Sequence, residues 1–245
     1  MYDRMDELTL RWKSISLAEM EDSKVDLTRD KKKTVTVLVA KFFTHRNVNV
    51  EAVARTFCPI WRTKGNCKVS DEKDNVVLVS FELDVDTEKV FQGQPWAFDR
   101  HLVALQRYDG SVPIQNLVFK KTMFWVQIHN LPFSLLTMEA VLSIGETIGE
   151  VHHPKDTGEM RGGSFMRVRV EVDITKPLCR GWKISWDQSY EGWAAFMYER
   201  LPNYCYWCGL VLHDDKDYVL WLNNRGMLRV EDQQFGPWLR APQFN

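Results

Sequence analysis

The chain has 245 residues, enough for one large domain or two small ones, and its 44% hydrophobic and 27% charged residues are ordinary globular composition. With 32 basic residues against 33 acidic ones the formal net charge is −1, so no overall positive field draws the protein onto phosphate. No apolar run reaches the roughly eighteen residues of a membrane span, and the opening MYDRMDELTLRWK carries charges where a signal peptide needs its apolar stretch.

Neither membrane insertion nor secretion is therefore expected. The five cysteines (Cys58, Cys67, Cys179, Cys205 and Cys208) are an odd, scattered set that does not resemble a disulfide framework, which points to a reducing compartment.

Residues 1–33 read as a tether with a short amphipathic helix around Leu8 to Trp12, followed by a mixed charge run to Lys31, Lys32 and Lys33. From Thr34 the pattern becomes regular. TVTVLVAKF is β-branched and reads as a strand, and NVNVEAVARTFCPIW has helical apolar spacing after an Asn cap. CKVSDEKDNVVLVSFEL reads as a hairpin turning at DEKDN, with a buried strand from Val76 to Phe81. Asp86 is positioned to cap a helix through TEKVFQG, and HLVALQRYD returns as a strand.

The predicted fold is α+β: a ferredoxin-like β-α-β-β-α-β domain over residues 34–110, of the shape shared by RNA-recognition modules. Those modules stack bases on exposed aromatics of the central strands, whereas the strands here are chiefly aliphatic, and Phe42 and Phe81 suit a core. Residues 118–200 predict a partial second α/β module. Its strand FWVQIHNLP is followed by a helix capped by Ser134 and by the alternating strand SFMRVRVEVDI, with further strand material to Tyr198.

Residues 201–222 carry the strongest chemical signal. Cys205 and Cys208 are two residues apart and His213 follows four residues later, a spacing that lets two thiolates and an imidazole meet on one tetrahedral zinc ion. The fourth position of a C-x2-C-x4-H-x4-C pattern falls on Tyr218, a poor ligand near neutral pH, and the substitutes Asp214, Asp215 and Asp217 are each out of register, so the site is degenerate and zinc is expected to be weak or lost. The bland alternative is an eroded knuckle packed through Tyr206, Trp207 and Trp221; a tail follows over 223–245.

YERLPNYCYWCG, the offset HDDKD and the tail EDQQFGPWLRAP, together with the upstream FCPIW, VSFELDVDTEKVFQGQPWAFDRHLVALQRYD and FWVQIHNLP, resemble plant LINE-type retrotransposon gag-like proteins. In these a domain of unknown function precedes a CCHC-type zinc knuckle. The resemblance covers roughly residues 34 to 242 and implies nucleic-acid binding, zinc ligation by Cys205, Cys208 and His213, and a nuclear or cytoplasmic location. This sequence departs from that pattern at Tyr218 and at Leu212, where the family usually has glycine.

Knuckles bind single strands by stacking a base on an aromatic, a role open to Tyr206 and Trp207. Phosphate contacts are assigned to the window from Val151 to Lys183, where Lys155, Arg161, Arg167, Arg169, Lys176, Arg180 and Lys183 face four acids. Arg167 and Arg169 share a strand face, and the alternative is a solvated amphipathic face. Adjacent His152 and His153 point to opposite sides of a strand, and no phosphate-cradling glycine pattern or nucleophile elbow occurs, so no enzymatic activity is expected. The leading expectation is a single-stranded nucleic-acid-binding module; the alternative is a protein-interaction or self-assembly module.

Overall fold

The chain forms two antiparallel sheets of five strands, with few helices. These are seen in a computed structural model that describes residues 37–154, 156–187, 190–223, 227 and 229–242. The expected tether at 1–33, with its lysines, and Lys155 lie outside the described residues.

The first sheet has the order β2-β3-β1-β5-β4. Its elements are β1 (Val37–Phe42), α1 (Val50–Trp61), β2 (Cys67–Asp71), β3 (Val76–Phe81), α2 (Asp84–Gln92), β4 (Trp96–Phe98) and β5 (His101–Tyr108). The expected succession of strands and helices is present, with the short edge strand β4 added before the last strand. Helix α1 starts because the Asn49 side chain accepts the Ala52 N–H at 3.0 Å, and it ends at Arg62 in the left-handed region, φ 48°. The hairpin turn places Asp74 and Asn75 at positive φ, and the Asn75 side chain also binds Val48 N, Thr44 O and Arg46 O.

Asp86, expected as a cap, lies inside α2, whose first residue is Asp84. Its buried carboxylate instead accepts the N–H groups of Lys64 (2.9 Å) and Gly65 (2.8 Å) in the loop after α1. Those bonds hold its pKa below the usual carboxylate value, against the opposing effect of burial.

One face of this sheet, carrying Leu38, Ala40, Phe42, Val77, Val79, Phe81, Val103 and Leu105, packs under Val53, Phe57 and Trp61 of α1 and Val90 of α2. The other face is also covered. Leu102 and Ala104 join the core of the second sheet, and Lys41 and Val76 line a pocket of about 150 Å³ with Ile114, Leu117 and Phe119 from the connecting segment. The sheet surface that RNA-recognition modules use for stacking is thus partly enclosed, and Phe42 and Phe81 are core residues.

The second sheet has the order β7-β8-β6-β10-β9. It comprises β6 (Lys121–His129), α3 (Met138–Glu146), β7 (Gly149–His152), β8 (Met166–Asp173), β9 (Gly181–Trp186) and β10 (Tyr190–Tyr198). This module, expected to be partial, has five strands and, among its described residues, a single α-helix where the first has two. Ser134 does not cap α3: Phe133–Leu135 form a single tight turn, and Thr137 Oγ1 accepts the Ala140 N–H at 3.3 Å. The apolar residues that need a core, Val141 and Ile144, lie one and two turns from Thr137, so the later cap places them correctly.

In β8, Met166, Val168, Val170 and Val172 point into the core while Arg167 and Arg169 point away. On that outer face Arg169 and Arg200 donate to the carbonyls of Gln92 and Gly93 at the end of α2, which ties the second sheet to the first. Leu201, Tyr204 and Val211 continue the second core, joined by Phe235 and Leu239 from the tail. A short helix, α4 (Val219–Asn223), follows. Among the described residues no helix is long and apolar enough to cross a membrane.

Candidate metal centre and its surroundings

The segment after β10 folds into a tight turn. Gly209 N–H donates to Cys205 O at 2.8 Å and Cys205 N–H to Leu210 O at 2.9 Å, so the backbone doubles back and brings Cys208 beside Cys205. Gly209 sits at φ +75°, and a Cβ there would lie 2.3 Å from the Phe235 ring, so both conformation and space demand glycine. Gly209 O in turn accepts the Leu178 N–H at 2.9 Å, which fastens the turn to the second sheet.

Donor atoms of Cys205, Cys208 and His213 all lie within 4.8 Å of one another. Cys208 Sγ is 3.3 Å from His213 Nε2, close to the separation of about 3.5 Å set by tetrahedral zinc with bonds of about 2.3 and 2.0 Å. His213 Nδ1 is 2.9 Å from Asp214 O, and donation there leaves the Nε2 lone pair facing the thiols, the usual arrangement of a metal-binding imidazole. The chain's own residues thus fit three zinc ligands.

The two thiols are electrostatically unlike. Hydrogen bonding from Cys205, with help from the Leu210 N–H and His213, lowers the Cys208 thiol to about 6. Cys205, fully buried, is pushed well above the thiol range by its bond to Cys208 and by burial. Tyr218 stands beside them with its ring parallel to His213, centroids 6.1 Å apart, and burial plus the nearby cysteines raise its pKa. A phenol kept neutral in this way is a poor fourth ligand. Asp215, raised chiefly by burial, accepts the Tyr206 N–H and so braces the turn.

The aromatic candidates are engaged with their neighbours. Trp207 stacks on Trp221 at 5.2 Å, and the Tyr206 hydroxyl accepts from Arg240 Nη1 at 2.7 Å. Arg240 also donates to the carbonyls of Leu201 (3.4 Å) and Pro202 (3.2 Å), clamping the turn from the tail. Sequence reasoning missed Arg240 and Gly209, and it weighed Asp215 as a substitute ligand rather than as a brace of the turn. Only the glycine had a sequence signal, its place after the second cysteine of C-x2-C.

The basic candidates do not gather at the turn. Arg167 pairs with Glu199 at 3.0 Å and lies over the Trp125 ring, and Arg169 binds Gln92 O. Lys176 pairs with Asp173 at 3.3 Å, Arg180 donates to Gln234 O at 3.0 Å, and Lys183 pairs with Glu191 at 2.5 Å. Arg161 is exposed beside a cavity of about 600 Å³ that Glu139 and Asp156 also line. Strand registers nevertheless put Arg167, Arg169 and Lys183 on one face of the second sheet, together with the exposed Trp193.

Residues 30–114 match the family described as a domain of unknown function (DUF4283), and residues 172–220 match a CCHC-type zinc knuckle. That combination is typical of plant retrotransposon-like proteins. The chain is also similar to the uncharacterized protein At4g02000 of Arabidopsis thaliana, 25% identical over 135 residues, which cover 54% of this chain and 41% of that protein. No solved structure matches the chain. The zinc-knuckle match begins in β8, in keeping with the core that the turn shares with the second sheet.

Proposed function

We propose that this chain is a retrotransposon-derived, non-catalytic module of a plant element that binds single-stranded RNA or DNA, with a zinc ion held by Cys205, Cys208 and His213. The observation that carries the reading is the meeting of those three donors within a segment matched by a zinc knuckle. Zinc, when bound, would cross-link the turn through these three donors. Asp214 O orients the imidazole, Gly209 permits the turn, and Arg240 holds it against the second core. Trp207 offers a base-stacking surface, and the face bearing the exposed Lys183 and Trp193 follows the phosphates.

We read the first sheet as ferredoxin-like, a reading supported by the order β2-β3-β1-β5, with β4 as an addition at its edge. Because its stacking surface is partly enclosed, its role is to carry the second sheet rather than to bind bases. The test is fluorescence anisotropy of a labelled single-stranded oligonucleotide at low and near-physiological salt, with and without zinc. Binding that weakens steeply with salt and strengthens with zinc is expected; no binding in any condition overturns the proposal.

A further inference from the structure

Strand β9 is an edge strand with no partner on its outer side among the described residues. Edges of this kind are normally blunted by proline, clustered charge or a bulge. Gly181–Trp186 has no proline and a single charge, Lys183, and it carries two tryptophans. Trp182 is 47% exposed, and across the hairpin Tyr190 is 60% exposed with its ring stacked on Trp186 at 6.0 Å.

The ladder shows which backbone groups are available. β9 pairs with β10 in the register that sets Trp182 opposite Ala194 and Trp186 opposite Tyr190, and Phe196 N–H donates to Arg180 O at 3.0 Å. In an antiparallel ladder hydrogen-bonded pairs recur every second residue. Residues 180, 182, 184 and 186 therefore face β10, and the N–H and C=O groups of Gly181, Lys183 and Ser185 point outward, the Gly181 carbonyl already accepting the Cys179 thiol at 3.4 Å. A second strand must bond to those of Lys183 and Ser185.

We propose that β9 pairs antiparallel with β9 of a second copy of this chain about a two-fold axis at Ile184, which joins two sheets of five strands into one of ten. In this register Lys183 and Ser185 of each copy exchange hydrogen bonds and no like charges stand opposite each other. An axis at Lys183 would set two ammonium groups face to face, and an axis at Trp182 would set Ser185 opposite Cys179, beyond the end of the strand. The axis at Ile184 also puts Trp182 opposite the second copy's Trp186, with the two Ile184 side chains between them, so the exposed aromatic row meets its own complement on one face. The pairing is independent of metal and nucleic acid, so it survives if the nucleic-acid reading fails.

The test is analytical ultracentrifugation of the full chain over a concentration series, with three variants. The native chain is expected to convert from monomer to dimer as concentration rises. Ser185→Pro removes an outward N–H that β10 does not use and adds ring bulk at the edge, so it should weaken the dimer at least about tenfold while leaving the circular dichroism spectrum unchanged. Trp182→Glu, at an exposed position, should weaken it comparably should the proline variant fold poorly. Ile184→Cys sits at the axis in a non-hydrogen-bonded pair. On mild oxidation it should give an inter-chain disulfide that joins two copies of the peptide containing position 184, read by mass spectrometry. A native chain that stays monomeric, or a dimer that ignores both edge variants and yields no such cross-link, overturns the proposal.

Discussion

Tyr218 is the residue on which the metal centre turns. It occupies the place of a fourth ligand, yet its phenol is held neutral by burial and by the adjacent cysteines. Tyr218→Cys should raise zinc affinity at least about tenfold, measured by competition with a chromophoric chelator, because a fourth ligand that is a thiolate completes a closed tetrahedral site. Unchanged affinity would mean that the backbone cannot bring position 218 onto the ion. Gly209→Ala tests the turn: a positive φ and a 2.3 Å approach to Phe235 should make it cost about 1–3 kcal/mol in urea unfolding.

Asp86 gives a pH signature in the first sheet. Its folded pKa is depressed, so its contribution to stability is present above the ordinary carboxylate pKa and is lost as pH falls through the folded value. The difference in melting temperature between the native chain and Asp86→Asn should therefore be largest near neutral pH and close on acidification. A gap that is constant with pH would assign the effect to packing rather than charge.

Among the elements, α1 and β3 were legible because several local signals agree at each. Asn49 supplies a cap, apolar residues recur at helical spacing, and the aliphatic run from Val76 to Phe81 sits beside a polar turn. Phe57 shows what that spacing is for: it stacks on Trp61 at 4.9 Å beneath the sheet. Phe57→Ala should cost about 3–5 kcal/mol in chemical denaturation, since it removes a buried ring packed among Phe42, Trp61, Trp96 and Phe98. β4 was not legible, because three residues are too few to show a period and their pairing with β5 is a tertiary event. The start of α3 was misplaced because Ser134 and Thr137 are equally good caps locally, and only the burial of Val141 and Ile144 chooses between them.

For the whole molecule, the metal turn and the second sheet share one core through Tyr204, Val211 and Phe235. Replacing Cys205 and Cys208 together by Ser should therefore lower the melting temperature of the second sheet as well as the turn. Calorimetry would detect an independent appendage as an unchanged main transition.

From the sequence alone came the strand-rich α+β character, the rough order of elements and the spacing of Cys205, Cys208 and His213, because hydrophobic period, caps and ligand spacing are local properties of the chain. The basic face was only partly readable: alternation put Arg167 and Arg169 on one side of a strand but could not say that Glu199 and the end of α2 would take them up. Only the tertiary structure decided that the first sheet's second face is partly enclosed, that Arg240 reaches back over the turn, and that β9 is left as an edge among the described residues. Each of these depends on contacts between residues far apart in the chain, which no local pattern encodes.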